Sequence, residues 1–241
     1  MEGLGSGDEL IRARYDRHLR LREIGLEGQE KLRNASVLLV GVGGLGSPIA
    51  LYLAAAGVGR IGLIDPDTVS VSNLQRQVLY VESEVGLPKV DCARIRLQQL
   101  NSALKVDTYP VWFDAEMAEK ILPDYDIVVD GCDNYATRYL INDACVKFGK
   151  PYVYGSIGEF HGQVSVFNYE GGFTYRDLYP DEDTLINRPR QTAGVMGVVP
   201  GVVGTLQAAE VIKLITGAGK PLRNRLLLID LLTQETQVLS F

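Results

Sequence analysis

Short apolar blocks alternate with stretches whose apolar positions recur at helical spacing over most of the chain. The blocks at 37–40, 61–65, 105–109, 127–130 and 152–155 predict strands buried on both faces, because little polar alternation interrupts them;. Between them, helices are predicted over 9–22, 45–56, 89–100 and 136–148, with the most apolar helix at 203–216;. Strands spaced by helices in this way predict an α/β fold of Rossmann-like type, a doubly wound parallel sheet covered on both faces and preceded by an N-terminal helix. The pattern changes in the second half. Residues 163–168, 225–230 and 234–239 follow one another through turns, as antiparallel strands do, so they should extend the parallel half differently;. Two segments, 66–88 and 170–190, lack either period. The second is rich in glycine, proline and acid and is predicted to hold neither helix nor strand, which makes it a candidate mobile loop;.

Composition narrows the partners. At 241 residues with 46% hydrophobic and 22% charged positions, the chain has the make-up of one globular domain over 1–241, with 1–35 as a helical arm;. Its 24 basic and 30 acidic residues give a net charge of −6 with no basic run, which argues against nucleic acid as an electrostatically held partner;. No apolar stretch reads as a bilayer span, and positions 1–10 lack the layout of a signal peptide;. The expectation is a cytoplasmic protein without membrane contact. Cys92, Cys132 and Cys145 are scattered without C-x-x-C spacing and suggest neither a disulfide framework nor a thiolate metal site;. His18 and His161 lie in no recognisable catalytic motif.

Candidate chemistry begins at V-L-L-V-G-V-G-G-L-G, residues 37–46. Gly41, Gly43 and Gly46 make a G-x-G-x-x-G turn between a strand and a helix, where backbone can approach phosphates at a helix N-terminus. Asp65 follows about 20 residues later, where such folds place a carboxylate on a ribose hydroxyl. These features leave NAD-dependent oxidoreductases and ATP enzymes open, and a glycine turn can also serve tight packing alone. Arg76 and Lys89 separate the readings, since a triphosphate needs several positive groups whereas a dinucleotide pyrophosphate is usually satisfied by backbone. The oxidoreductase alternative would leave both without a role. Asp133, in D-G-C-D-N after an apolar strand, sits where a doubly wound sheet displays ligands, and Asn134 is placed to cap the next helix;. Asp130, three positions earlier, is its alternative or partner.

Six ordered motifs carry a resemblance: R-Y-D-R at 14–17, G-V-G-G-L-G at 41–46, L-I-D-P-D-T-V-S-V-S-N-L-Q-R-Q at 63–77, V-G-L-P-K-V at 85–90, D-G-C-D-N at 130–134, and T-A-G-V-M-G with G-T-L-Q-A-A-E within 192–210. The chain resembles the ThiF/MoeB/HesA family, bacterial relatives of ubiquitin-activating enzymes. The resemblance implies ATP-dependent adenylation of the C-terminal glycine of a ubiquitin-like sulfur carrier ending in Gly-Gly, either ThiS-like, in thiamine biosynthesis, or MoaD-like, in molybdopterin synthesis. The text around 191–210 looks closer to the thiamine-pathway members. A further branch, the tRNA-adenosine dehydratases, uses the same ATP site but fits the acidic balance poorly.

The resemblance also assigns residues. It implies Arg76 and Lys89 on the ATP phosphates, a pocket lined by Gly41, Gly43, Gly44, Gly46, Asp65, Ser72, Asn73, Leu74, Gln75 and Asn134, and Asp133 on Mg²⁺. Arg17 by itself reads as part of a solvated basic helix with Arg12, Arg14, Arg20 and Arg22;. In the family the matching arginine reaches the phosphates of the neighbouring subunit, which implies a homodimer with shared sites. The family's C-Y-R-C segment reads T-Y-R-D at 174–177, and no second C-x-x-C pair precedes Phe241, so a four-thiolate zinc site is not expected;. Arg190 stands where thiamine-pathway members carry a cysteine that links to the carrier, so no such linkage is expected there. Cys132 reads as a small apolar filler.

Overall fold

The computed structural model describes residues 7–188 and 194–241. Five parallel strands are built from the predicted apolar blocks: β1 (Ser36–Val40), β2 (Arg60–Ile64), β3 (Lys105–Tyr109), β4 (Ile127–Asp130) and the start of β5 (Tyr152–Gly158). β6 (His161–Phe167), β7 (Arg225–Asp230) and β8 (Glu235–Ser240) then add antiparallel neighbours. The eight-stranded sheet has the order β3-β2-β1-β4-β5-β6-β7-β8, a mixed α/β architecture. Chain order reverses between β1 and β4, and their diverging connections open a crevice outside the carboxyl ends of these strands;.

Each face of the sheet has its own core. On one side Val37, Leu39, Ile61, Leu63, Ile127 and Val129 pack with α3 (Gly46–Ala56), α4 (Lys89–Leu100) and α9 (Val198–Thr216). On the other, Leu38, Val40, Ile64 and Val128 pack with α5 (Ala115–Ile121) and α6 (Tyr135–Phe148). Burial on both faces explains why these strands read as continuous apolar blocks.

Several boundaries differ from expectation. The N-terminal helix α1 spans Gly7–Leu19, and a second helix, α2 (Gly25–Asn34), opens at Gly25, whose φ of 55° separates the two;. α5 was not anticipated; Asp114 starts it by accepting a hydrogen bond from the Met117 N–H;. Segment 66–88 contains single 3-10 turns at Val71–Asn73 and Glu82–Glu84. Segment 170–190, predicted to lack regular structure, instead forms α7 (Tyr175–Leu178) and α8 (Glu182–Ile186) within its described part. The residues read as loop-forming are the caps: Thr174 with Asp177 makes a capping box, and Asp181 accepts from the Thr184 N–H;. Tyr175 then anchors the segment, fully buried among Tyr139, Tyr152, Tyr154 and Phe167. Arg190 lies outside the described residues.

Helix α9 begins at Val198 rather than 203, because Pro200 falls in the first turn, where its missing N–H costs nothing;. At 19 residues it is, by length and composition, apolar enough to cross a membrane, contrary to the sequence expectation. In the structure it packs on α3, β5 and β6 and buries Glu210, which accepts from the Leu222 N–H, and Gln207, whose amide nitrogen donates to the Asp130 carbonyl while its Oε1 has no partner among the described residues. That makes it an internal helix of this fold.

Candidate active site

The carboxyl ends of β1, β2 and β4 meet around the glycine turn. Gly41 has φ of 90° and abuts Gly131 after β4; a Cβ on Gly41 would lie 2.6 Å from the Gly131 carbonyl, so only bare backbone lets the strand ends approach;. Val42, inside the turn, is fixed from two sides: its N–H donates to Asp65 Oδ2 at 2.7 Å, and its carbonyl accepts from the Tyr80 hydroxyl at 2.6 Å. The turn leads directly into α3, where Pro48 has no N–H and the Ser47 and Ile49 N–H groups already donate to the Gly43 and Leu45 carbonyls, so the backbone of the glycine turn up to Gly46 is what faces an anion;.

Asp65 closes β2 and is buried. Besides Val42, it accepts from the Asp67 N–H at 2.9 Å through Oδ1, so each oxygen keeps a lone pair for a ligand;. Burial pushes its pKa up, opposed by the Lys89 charge and by these two backbone donors. Lys89, the first residue of α4, is also buried; its Nζ lies 2.8 Å from Asp67 Oδ2 and 4.0 Å from Asp65 Oδ1. Arg76 lays its stem along the turn, where a Cβ on Gly44 would be 3.6 Å from Arg76 Cγ, and its Nη1 donates to the Ser72 carbonyl at 3.0 Å.

The motif around Arg76 mostly builds its own loop. Asn73 Oδ1 accepts from the Ser70 N–H, Ser72 Oγ bonds Ser70 Oγ, and Leu74 packs on the core. Gln75 is exposed, with its carbonyl pressed against Gly197 at the start of α9. Gln77 is buried with its amide against Gly43, and among the described residues its Oε1 has no partner. A bare glycine cradle, two cations and an orphaned buried acceptor beside them fit a polar nucleotide.

Asp130 and Asp133 part company. Asp130 is fully buried and accepts three hydrogen bonds, from Arg138 Nε at 3.1 Å and the Tyr152 hydroxyl at 2.9 Å on Oδ2, and from the Cys132 N–H at 2.9 Å on Oδ1. Asp133 is exposed, two residues beyond Gly131, and among the described residues bonds the Asn134 amide alone, at 3.4 Å. Asn134 caps α6 through the Thr137 N–H, as the sequence predicts. One exposed carboxylate beside a phosphate cradle suits Mg²⁺, which takes one or two carboxylates and completes its shell from phosphates and water. Among the described residues, no group of three or more His, Cys, Asp or Glu gathers as a metal cluster. Cys132 is half-buried, and burial followed by Asp130 pushes its thiol pKa up, as suits a filler rather than a nucleophile;.

Arg17 is not brought to this site within the chain. Its side chain is 87% exposed and, among the described residues, pairs with Asp16 alone. Neighbouring Tyr15 packs on Gly57 at the far end of α3 and bonds Asn101, while Arg14 donates to the Leu100 carbonyl. Those contacts fix this part of α1 at the amino edge of the sheet, about 16 Å from the glycine turn by the length of α3.

Sequence reasoning missed Asp67, Gln77, Tyr80, Arg138 and Gln207. Asp67 and Arg138 had a signal, since each stands at helix- or turn-spacing from a residue already singled out. Gln207 stands in the quoted G-T-L-Q-A-A-E motif, but nothing in the sequence tells its partner: its amide donates to the Asp130 carbonyl at 2.7 Å across 77 positions of sequence.

The model of the ThiF family matches residues 15–241. The chain belongs to the ThiF family. It is 52% identical over 225 residues to a sulfur carrier protein adenylyltransferase of Thermus thermophilus, covering 91% of this chain and 83% of that protein. A probable molybdopterin-synthase adenylyltransferase of Porphyra purpurea is 47% identical, covering 85% of this chain and 54% of the relative. Against the adenylyltransferase and sulfurtransferase MOCS3 of Culex quinquefasciatus identity is 52%, and the chain spans 50% of that protein's length. Among solved structures, E. coli MccB with ATP superposes with a TM-score of 0.84 at 28% identity, covering 94% of this chain and 71% of MccB. Membership gives this chain an adenylyltransferase of the ATP-using kind.

Proposed function

We propose that the protein activates the C-terminal glycine of a ubiquitin-like sulfur carrier by forming its acyl-adenylate with release of pyrophosphate, and that a ThiS-like carrier of thiamine biosynthesis is preferred over a MoaD-like one. The observation that carries the reading is the glycine turn after β1, with Asp65, Lys89 and Arg76 beside it and Gly131, two residues before Asp133, packed against Gly41. A carboxylate is a poor electrophile, and the reaction brings two anions together, the incoming glycine carboxylate and the α-phosphate. The backbone of the glycine turn up to Gly46 receives the phosphates, and Arg76 and Lys89 offset the charge that builds at phosphorus. Asp65 holds the ribose hydroxyls with its spare lone pairs, and Asn73 and Gln77 line the pocket. Asp133 holds Mg²⁺, which would neutralise phosphate charge when bound.

Pyrophosphate exchange with purified carriers tests the proposal: exchange should require ATP, Mg²⁺ and a carrier ending in Gly-Gly, and should run faster with the ThiS-like protein. Faster exchange with a MoaD-like carrier would support the molybdopterin alternative, for which the Porphyra relative's name speaks. Carrier-independent exchange would contradict both.

The place of Arg17 supports a homodimer with shared sites, since an arginine at the amino edge of one chain is free to serve a second. Mixing Arg17→Ala and Lys89→Ala subunits should then recover up to about half of the activity in the heterodimer, because one of two composite sites is whole. No recovery after verified subunit exchange would return Arg17 to a solvated helix face.

A further inference from the structure

The neck of segment 66–88 is zipped into a short antiparallel ladder. The Lys89 N–H donates to the Asp67 carbonyl at 3.0 Å, the Val69 N–H to the Leu87 carbonyl at 2.9 Å, and the Gly86 N–H to the Val69 carbonyl at 2.9 Å, around a bridge of Thr68 with Pro88. This ladder makes Asp67 and Lys89 cross-strand neighbours. Their side chains then close at 2.8 Å, while Asp65 stands at 4.0 Å from the same ammonium. Exposure differs sharply: the Lys89 and Asp65 side chains are 5% and 7% exposed, and that of Asp67 is 58%.

A buried ammonium must have a counter-charge, and only two carboxylates lie within salt-bridge range of this one among the described residues;. If Asp65 took it, two tasks of the site would be crossed. The ammonium would occupy the lone pair that Asp65 needs for a ribose hydroxyl, and Nζ would be drawn off the phosphate side. Asp67 avoids both, because its side chain faces solvent, and its other bonds, the N–H to Asp65 Oδ1 and the carbonyl to the Lys89 N–H, come from backbone and not from the carboxylate. An ammonium has three donors, so Lys89 can keep Asp67 and still bond phosphate.

From this geometry we infer that Asp67 is a positioning residue that holds Lys89 away from Asp65, so that the lysine serves the phosphates and Asp65 serves the ribose. The inference rests on the ATP-site reading given above. In the Asp67→Asn variant the ammonium turns to Asp65, and the enzyme loses its grip on the ribose hydroxyls rather than its fold.

Equilibrium binding of ATP, 2′-deoxy-ATP and 3′-deoxy-ATP, measured by calorimetry on the full chain, tests this. The wild type should bind ATP about tenfold or more tighter than at least one deoxy analogue, the scale of a hydrogen bond to a charged acceptor. Asp67→Asn should weaken ATP to the level of that analogue and bind both alike, and Asp67→Glu should restore the discrimination. In a Lys89→Met background, Asp67→Asn should change nothing further, since no ammonium remains to cross over. Undiminished ribose discrimination in Asp67→Asn, or an equal loss in the Lys89→Met background, would overturn the inference. A wild type that binds ATP without discriminating ribose hydroxyls would overturn it together with the ribose role of Asp65, and a wild type that binds no ATP would remove the functional reading itself. If Asp67→Asn fails to fold, Asp67→Ser, neutral and smaller, carries the same expectation.

Discussion

The ends of β4 and β2 both present carboxylates to the crevice, but in opposite condition. Asp130 at the end of β4 spends its oxygens inside the protein, on Arg138, Tyr152 and the Cys132 N–H, and Arg138 goes on to the carbonyls of Cys132 and Gly155. Asp65 at the end of β2 accepts only two backbone N–H groups and has an ammonium at 4.0 Å. The first arrangement is closed: Asp130 holds the strand end, and Asp133 beyond it is exposed. The second is open: Asp65 shapes the glycine turn and keeps capacity for a ligand. A buried acid in a cleft is therefore assigned by its unspent lone pairs, not by its burial alone.

The largest test of this contrast lies at β4. Asp130→Asn should leave the Arg138 guanidinium buried without its counter-charge and cost about 3–5 kcal/mol of stability in denaturant unfolding. Asp133→Asn should change stability by less than about 0.5 kcal/mol, as for an exposed side chain, yet lower exchange by about a hundredfold. Equal destabilisation by the two would erase the distinction between the closed and the open carboxylate.

At β2 the expected effects are smaller on the fold and fall on function. Lys89→Ala or Arg76→Ala should lose about 2–4 kcal/mol of transition-state stabilisation, read as exchange rate. The pH dependence sharpens the same point. Because burial raises the pKa of Asp65, its neutral form favours the folded state below the ordinary carboxylate value of about 3.9, and that contribution is lost as pH rises through the raised value;. Ribose binding needs the ionised form. Nucleotide affinity should therefore fall on acidification at a higher pH than an exposed aspartate would give, and Lys89→Ala, by removing the opposing charge, should move that fall still higher. An acid limb that stays put in Lys89→Ala would mean that Asp65 does not control it.

What was legible in the sequence follows from these physical differences. The parallel strands were legible because β1, β2 and β4 are buried on both faces and leave an unbroken apolar block. The glycine turn was legible because backbone blocks a Cβ at two of its fixed positions, at Gly41 by Gly131 and at Gly46 by the Gly41 carbonyl. The α7–α8 segment was misread because capping residues and loop residues are the same amino acids; only the burial of Tyr175 shows which use they serve. The start of α9 was misplaced because Pro200 signals a break in the interior of a helix and none in its first turn. Among the acids, local spacing found Asp65 and Asp133 but could not separate Asp130 from Asp133. That separation depends on Arg138, Tyr152 and Gln207, which come from two helices and a neighbouring strand.

The most direct measurement is the mass of the carrier itself after incubation with enzyme, ATP and Mg²⁺. The account predicts a carrier heavier by one adenylyl group, with pyrophosphate released, and no gain when the terminal Gly-Gly is removed or when Asp133→Asn enzyme is used. An unmodified carrier under conditions where the enzyme consumes ATP, or an adenylyl group that persists on a carrier lacking its terminal glycines, would contradict it.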